Sequence, residues 1–119
     1  MKEKFPRNRK VVSSDEFKKI IYKGTKVSNR FINVFILPSA FQKSRFGFSV
    51  PKRIAKAVDR NKIRRFLREK VRKRRELDSH SIDVIFLVKT NFLELKKNDR
   101  NQVFDVLFEQ LIKRISTVC

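Results

Sequence analysis

The chain has 119 residues, a length that predicts one domain, and its 40% hydrophobic content excludes a protein that is disordered throughout. Its 31 Lys and Arg against 12 Asp and Glu give a net charge of +19, which favours a polyanionic partner, nucleic acid before an anionic membrane surface. The single cysteine excludes a disulfide framework within the chain and a metal site built on cysteines.

The N-terminal residues are charged and contain no apolar stretch typical of a signal peptide, and no run of 18 apolar residues predicts a membrane span. We therefore expect a cytoplasmic protein that has no membrane partner and no obligatory protein partner. Residues 1–119 are predicted to form a single domain, with residues 1–12 as a basic N-terminal arm.

The first predicted element is a helix over residues 14–23. Ser13 and Glu16 fit a capping box, in which Ser13 accepts a hydrogen bond from the Glu16 backbone N–H and the Glu16 side chain reaches back. Gly24 is the predicted C-terminal stop. Three apolar residues at helical spacing predict the buried stripe of this helix: Phe17, Ile20 and Ile21.

Two alternating segments, residues 30–37 and residues 45–50, predict strands because side chains on a strand point to opposite faces in turn. Pro38 begins a turn after the first, and Pro51 ends the pairing of the second because it has no N–H to donate. In the first strand one face holds Ile32, Val34 and Ile36, and the other holds Phe31, Asn33 and Phe35. In the second strand one face holds Phe46, Phe48 and Val50, and the other holds Arg45, Gly47 and Ser49.

The second half predicts a helix over residues 58–75, a buried central strand over residues 82–89, a helical turn over residues 91–95 and a final helix to about Ile115. The final helix is predicted to be capped by Asn98 or Asp99 and to face the core through Val103, Phe104, Leu107, Phe108, Leu111 and Ile112. The predicted order is α-β-β-α-β-α. The fold class is therefore α+β, a two-layer α/β sandwich with helices packed on a small mixed β-sheet.

Positive charge is concentrated in the middle of the chain. Residues 43–75 carry 15 basic and 2 acidic residues, whereas residues 76–119 carry 6 basic and 7 acidic ones. The partner surface is thus expected in the first two thirds of the chain, and the last third is expected to be scaffold.

The predicted helix over residues 58–75 gives up the ion pairs that a solvated helix normally forms along its surface. Between Arg60 and Arg75 there are ten basic residues and one acidic residue, Glu69. Crowded like charges are unfavourable alone and become favourable against phosphates, so we interpret this helix as a nucleic-acid contact. Its apolar stripe is Ile63, Phe66, Leu67 and Val71, and nearly opposite lie Asn61, Arg65, Arg68 and Arg72. Asn61 is either part of that contact or a helix-capping residue.

Residues 45–69 read RFGFSVPKRIAKAVDRNKIRRFLRE. This run resembles the signature of the bacterial ribonuclease P protein subunit, in which R-x-G-x-S-V is followed by two basic residues, A-V-x-R-N-R-x-K-R and R-E. The resemblance extends to Phe17, to Gly24-Thr25 and to Asn29-Arg30. The chain departs from the pattern at Ala55-Lys56, where Gly-Asn is common, at Lys62 in the R-N-R triplet and at Pro51. Ala55 lacks the conformational freedom of a glycine.

The resemblance implies an α–β sandwich of the type seen in the second domain of ribosomal protein S5, with a left-handed βαβ crossover, although the general rule predicts the opposite hand. It also implies a subunit of the enzyme that hydrolyses one phosphodiester bond to remove the 5′ leader of precursor tRNA. The partners would be the catalytic RNA and the precursor tRNA. The chemistry would be carried by the RNA, with Mg²⁺ as the cofactor, held mainly by the RNA and the substrate.

Site residues follow from the resemblance by position. The residues expected to bind the catalytic RNA are Lys52, Arg53, Arg60, Asn61, Lys62, Arg64, Arg65, Arg68 and Arg72. The residues expected to bind the leader, in a cleft between the first helix and the sheet, are Phe17, Ile21, Phe35, Asn33 and Arg45. Ile21 stands where the family usually has an aromatic residue.

Phe35 has a physical rationale of its own, because it is predicted to lie on the less buried face of its strand. An aromatic ring there can stack on an unpaired base, a contact worth about 1–3 kcal/mol. The alternative for Phe35, and equally for Phe17, is packing in the core.

The sequence gives no support to a self-sufficient nuclease, which needs a metal cluster or an acid/base pair. The carboxylates are sparse, His80 is the one histidine, and no catalytic or metal-binding residue is predicted. Two further functions are possible. One is a ribosomal-type protein that binds ribosomal RNA without a role in tRNA processing. The other is a cationic protein of membrane surfaces, which would need an exposed apolar face beside the basic one.

Overall fold

The computed structural model describes residues 14–39, 43–77 and 80–118. Within these residues, three helices, four strands and a 3₁₀ turn follow one another. They are α1 (Ser14–Lys23), β1 (Thr25–Ser28), β2 (Ile32–Pro38), β3 (Arg45–Ser49), α2 (Ala57–Arg72), β4 (Ile82–Val88), the 3₁₀ turn (Thr90–Glu94) and α3 (Lys97–Val118).

The strands form one mixed sheet in the order β1-β2-β4-β3. β2 pairs antiparallel with both β1 and β4, whereas β3 and β4 are parallel and are joined through α2. The predicted central strand is confirmed, since every residue of β4 is buried except Leu87, which is half-buried. The hand of the crossover from β3 to β4 stays a prediction.

The main core lies between one face of the sheet and the helices α2 and α3. It includes the predicted inward rows of β2 and β3 together with Ile63, Leu67 and Val71 of α2. The opposite face carries a smaller cluster in which Ile20 of α1 packs against Phe35 and Ile85. The predicted α+β sandwich is therefore confirmed, and α1 adds a partial layer on the far side.

The strand β1 was not predicted, because four residues at a sheet edge are too few for a periodic pattern to stand out. The loop before β2 is shaped by Asn29, whose Oδ1 accepts hydrogen bonds from the backbone N–H groups of Phe31 and Ile32, both at 2.8 Å. Side chains of the Asn type commonly hold such turns. Asn29 therefore has a structural role in this chain.

The helix ends differ in part from the predicted ones. α3 begins at Lys97, so Asn98 and Asp99 lie in its first turn and the predicted cap at either residue is wrong. Asp99 still complements the positive end of the helix dipole. Ser13 of the predicted capping box lies outside the described residues. α2 ends at Arg72, three residues earlier than predicted.

Neither glycine has a positive φ, so neither is needed for its backbone conformation. Both are needed because a larger side chain would not fit. A Cβ on Gly47 would lie 2.6 Å from Ile85 Cδ1 and 2.6 Å from Phe17 Cζ, so the ring of α1 rests on the bare backbone of β3. A Cβ on Gly24 would clash with the carbonyl oxygens of Ile20 and Ile36. Gly24 thus lets the chain turn from α1 directly into β1.

Replacing each glycine by alanine tests this assignment. Gly47→Ala meets two side-chain ends that can shift, and we expect it to lower the free energy of unfolding by about 1–3 kcal/mol, a typical cost of overpacking. Gly24→Ala meets backbone atoms that cannot shift without moving β2, so its loss should be larger. Urea unfolding of both variants measures the difference, and equal or reversed losses would contradict the assignment.

Candidate RNA interface

The basic helix α2 is held in place by its apolar side. Ile63, Leu67 and Val71 recur every four residues, and all three are buried against the sheet. The preceding residue, Lys56, makes no side-chain cap, and Asp59 in the first turn favours the helix dipole instead. The opposite side of α2 is consequently fixed in direction and faces away from the core.

The first half of α2 and the loop before it expose a group of cations, which we call the α2 basic surface. Its members among the described residues are Lys52, Arg53, Arg60, Lys62, Arg64, Arg65 and Arg68. Lys52, Arg53, Lys62, Arg65 and Arg68 are exposed, and Arg60 and Arg64 are half-buried. The structure thus brings together all of the residues expected to bind the catalytic RNA except Arg72, with Asn61 lying among the cations.

Asn61 and Arg72 complete the set of residues expected to bind the catalytic RNA. Asn61 is exposed in the first half of α2 and accepts a hydrogen bond from Arg64 Nη1 at 2.9 Å. It is the fifth residue of the helix, so the alternative of a helix cap is wrong. Arg72 lies at the helix end and forms an ion pair with Glu69 at 2.8 Å.

The pKa of Arg64 reflects the crowding of positive charges within the α2 basic surface. Its partial burial lowers the pKa of the guanidinium below the ordinary value, and the charges of Arg60 and Arg68 one turn away lower it further. Within the described part of the chain, Arg60, Arg65 and Arg68 have no carboxylate within ion-pair distance. This half of the helix is therefore under uncompensated repulsion.

The second half of α2 is neutralised by the protein itself. Lys70 Nζ lies 2.9 Å from Asp105 Oδ1, and Arg74, just after the helix, lies 2.5 Å from Glu109 and 2.9 Å from Glu76. The same two cations lie over aromatic rings of α3. The charge run over residues 60–75 is thus two surfaces, one open and one paired with α3.

The loop into α2 contains the Ala55-Lys56 departure from the family pattern. Ala55 has a negative φ, so the turn needs no glycine at this position. Ala55 lines a cavity of about 320 Å³ together with Asp59, Lys62 and Arg100. Lys62, the other departure, therefore still places its charge beside the loop.

Phe35 does not offer the open stacking face that its strand position predicted. It is 8% exposed and packs beneath α1 with Ile20 and Ile85, while Phe17 and Ile21 are half-buried at the edge of the same cluster. Phe35 therefore packs in the core, which was the alternative to a stacking role. Its place among the leader-binding residues rests on the resemblance alone.

A more open row of side chains crosses the same face of the sheet one step further along. Ser28, Asn33, Leu87 and Ser49 are direct cross-strand neighbours, and only Ser28 is fully exposed. Asn33 Oδ1 is shielded from solvent and accepts no hydrogen bond from the described residues. We call this row and the adjoining Phe17 and Ile21 the α1 cleft.

Arg45 is buried beneath the α1 cleft surface, so its place among the leader-binding residues rests on the resemblance alone. Its guanidinium is buried, with Nε 2.9 Å and Nη2 2.8 Å from the carboxylate of Asp83 and Nη2 2.6 Å from Glu16 Oε2. The hydrogen bond to Asp83 raises the pKa of Arg45, which outweighs the lowering by burial, and Glu16 raises it further. Arg45 ties α1 to the sheet.

The residues expected to be neither catalytic nor metal-binding include the acidic side chains and His80. No three His, Cys, Asp or Glu side chains among residues 14–39, 43–77 and 80–118 come together where they could hold a metal ion. Asp83 is occupied by Arg45, and His80 is exposed. None of the helices in these ranges has the length and apolar character needed to cross a membrane.

Comparisons with known proteins agree with this geometry. The family model described as Ribonuclease P matches residues 5–112. The ribonuclease P protein component of Caldanaerobacter subterraneus subsp. tengcongensis is 35% identical over 94 residues, which is 79% of this chain and 78% of that protein. The chain belongs to the ribonuclease P protein family. The component from Thermoanaerobacter pseudethanolicus is 34% identical over 85 residues, 71% of this chain and 73% of that protein.

Solved structures of the ribonuclease P protein have the same fold. The Staphylococcus aureus protein superposes with a TM-score of 0.77 at 26% identity, covering 87% of this chain and 94% of that one. The Thermotoga maritima protein gives a TM-score of 0.65 at 21% identity, covering 89% and 96%, which shows the fold alone.

The structural role of Arg45 in tying α1 to the sheet can be tested by measuring stability. Arg45→Met leaves the Asp83 carboxylate buried without its cation, and we expect a loss of about 3–5 kcal/mol in the free energy of unfolding. Arg45→Met combined with Asp83→Leu should recover much of that loss. Glu16→Gln should cost less, since the Glu16 side chain is 33% exposed. Urea unfolding gives all three values, and a single Arg45→Met variant as stable as the parent would refute the assignment.

Proposed function

We propose that this chain is the RNA-binding protein subunit of ribonuclease P. It binds the catalytic RNA through the α2 basic surface and holds the 5′ leader of precursor tRNA in the α1 cleft. In this way it assists the Mg²⁺-dependent endonucleolytic removal of the leader, which yields mature tRNA 5′ ends. The observation that carries the proposal is the division of α2 into a half paired with carboxylates and a half left unpaired.

The α2 basic surface has the chemistry that RNA phosphates require. Arginine presents a planar fork of donors that matches a phosphate, and Arg65 and Arg68 are exposed on a helix whose direction is fixed by its buried side. The repulsion felt by Arg64 is relieved when phosphates lie against the neighbouring guanidinium groups. The free protein therefore holds an arrangement that is less favourable alone than in the complex.

In this proposal the hydrolysis step belongs to the RNA. Mg²⁺ prefers carboxylate and phosphate oxygens, and the proposed interface presents guanidinium and ammonium groups, which repel a cation. The metal ions, which would activate water and stabilise the leaving oxygen, are therefore assigned to the RNA and the substrate. The protein contributes binding and orientation.

The α1 cleft suits an unpaired strand better than a duplex. The row of Ser28, Asn33 and Ser49 offers polar groups beside the apolar edge formed by Phe17 and Ile21. A leader nucleotide can place a base against the apolar edge and its polar groups over the row. The mature tRNA lacks the leader, so this contact discriminates precursor from product.

The two other functions considered from the sequence are less well supported. Family membership leaves a purely ribosomal role without a supporting observation. A membrane-surface role needs an exposed apolar face, and the apolar side of α2 is spent on the core through Ile63, Leu67 and Val71.

Removing two guanidinium groups from the α2 basic surface tests its role. For Arg65→Ala with Arg68→Ala, we expect weaker binding of the catalytic RNA and a slope of log affinity against log salt that is flatter by about 0.7–0.9 per lost contact. Precursor tRNA cleavage reconstituted with the RNA at low Mg²⁺ should fall in parallel. Filter binding across a salt series and a cleavage time course provide the measurements.

The matched control lies at the end of the same helix and just after it. Lys70→Ala with Arg74→Ala removes the same charge from the half that pairs with Asp105 and Glu109. This control should lose stability while keeping the parental salt slope. The proposal fails if both pairs of substitutions flatten the slope equally, or if the Arg65 and Arg68 variant binds like the parent.

Ile21 provides a gain-of-contact test of the α1 cleft. It is half-buried beside Phe17, and an aromatic ring in its place adds a stacking surface. We expect Ile21→Phe to tighten binding of leader-bearing precursor by up to about 1–3 kcal/mol, without tightening mature tRNA. Tyr22→Phe, on the exposed neighbouring residue, is the control for aromatic change on α1. Equal gains on precursor and mature tRNA would place the contact outside the cleft.

A further inference from the structure

Asp105 and Glu109 lie on a different side of α3 from Arg114. Asp105 and Glu109 face α2, where they pair with Lys70 and Arg74. Arg114 is nine residues from Asp105, which places it about 180° around the helix. The near balance of charge over residues 76–119 therefore hides a basic side that faces away from α2.

This basic side forms one wall of a groove against the edge strand β1. The groove has a volume of about 470 Å³ and is lined by Lys26, Val27, Gln110, Lys113 and Arg114. Lys26 and Arg114 are exposed, and neither has a carboxylate within ion-pair distance among the described residues. No carboxylate is among the side chains that line the groove.

The groove lies at the opposite edge of the sheet from the α2 basic surface. α2 packs against β3, α3 packs against β1, and these two strands are the outer members of the sheet. Three strand spacings separate them, about 14 Å, and the helices add to that distance. The two basic surfaces are therefore separate sites for a polyanion.

We propose that the groove between β1 and α3 is a second RNA-binding surface that holds a phosphate backbone segment of the catalytic RNA. This inference rests on the proposed function. Lys26 and Arg114 would bind phosphate oxygens from the two walls, and Gln110 would hydrogen-bond to a phosphate or a ribose hydroxyl. The positive charge of the groove suits a phosphate backbone, which has no hydrophobic group to anchor in an apolar pocket.

The catalytic RNA is the partner of choice because of where the groove opens. The α1 cleft is on the face of the sheet that carries α1, whereas α3 packs on the opposite face. A leader lying in the cleft thus runs on the side of β1 away from Gln110 and Arg114, and Lys26, whose strand partner is Phe35, stands at the edge between the two sides. A large RNA that already contacts the β3 edge can reach around a protein only about 35 Å long.

Neutralising the groove gives the first test. Lys26→Gln with Arg114→Gln should weaken binding of the catalytic RNA and flatten the salt slope by about 0.7–0.9 per lost phosphate contact. The matched control, Lys18→Gln with Lys43→Gln, removes two exposed charges from α1 and from the segment before β3. The inference is overturned if the groove variant and the control have the same affinity and slope.

A tethered cleavage reagent locates the partner and separates the two proposals. An iron chelate attached to Gln110→Cys, in a Cys119→Ser background, should cut the catalytic RNA near the groove by generating hydroxyl radicals. The same chelate on Asn61→Cys reports on the α2 basic surface and should cut a different part of that RNA. Cuts from residue 61 without cuts from residue 110 overturn the groove and leave the proposed function intact. Cuts from residue 110 in precursor tRNA alone also overturn the inference, and silence from both tethers refutes the proposed function itself.

Discussion

Twelve carboxylates must serve 31 cations in this protein, so the placement of the carboxylates decides which cations remain available to a polyanion. Asp105 and Glu109 neutralise the end of α2, and Asp83 and Glu16 neutralise Arg45. The first half of α2 has only Asp59, which lies within ion-pair distance of no cation among the described residues. Self-repulsion at this point opposes the compact state. The fold tolerates it because the apolar side of α2 is buried regardless of what its outer side carries.

The same helix therefore does two things that would conflict on a shorter element. Four turns allow Ile63, Leu67 and Val71 to anchor it, while successive turns on the outer side present guanidinium groups in a fixed direction. A flexible basic tail would supply equal charge but would lose conformational entropy on binding. A helix fixed by the core has already lost that entropy during folding, so more of the phosphate attraction remains for affinity.

The sequence predicted the element types well where periodicity was long and failed where it was short. The alternation in β2 and β3 determines which side chains share a face, and the apolar run of β4 determines its burial, and the structure confirms both. The alternation did not show that Phe35 and Arg45, on the face predicted to be less buried, are covered by α1. β1 has four residues and is stabilised by its pairing with β2, so no local sequence pattern identifies it. The charge run over residues 60–75 predicted a helix that contacts RNA but not the division of its charges, because that division depends on α3, which is distant in sequence.

Arg45 marks the limit of reading function from residue type. In the sequence it is one more arginine beside a strand, and its position in the family motif suggested a contact with RNA. Only the parallel register of β3 on β4 places it directly opposite Asp83, and only the packing of α1 brings Glu16 to its other side. Its charge thus holds α1, which forms the wall of the α1 cleft, in place. Salt screens exposed charges more than buried ones. Added salt is therefore expected to weaken the attraction of the α2 basic surface for a polyanion, while α1, the wall of the cleft, keeps its position.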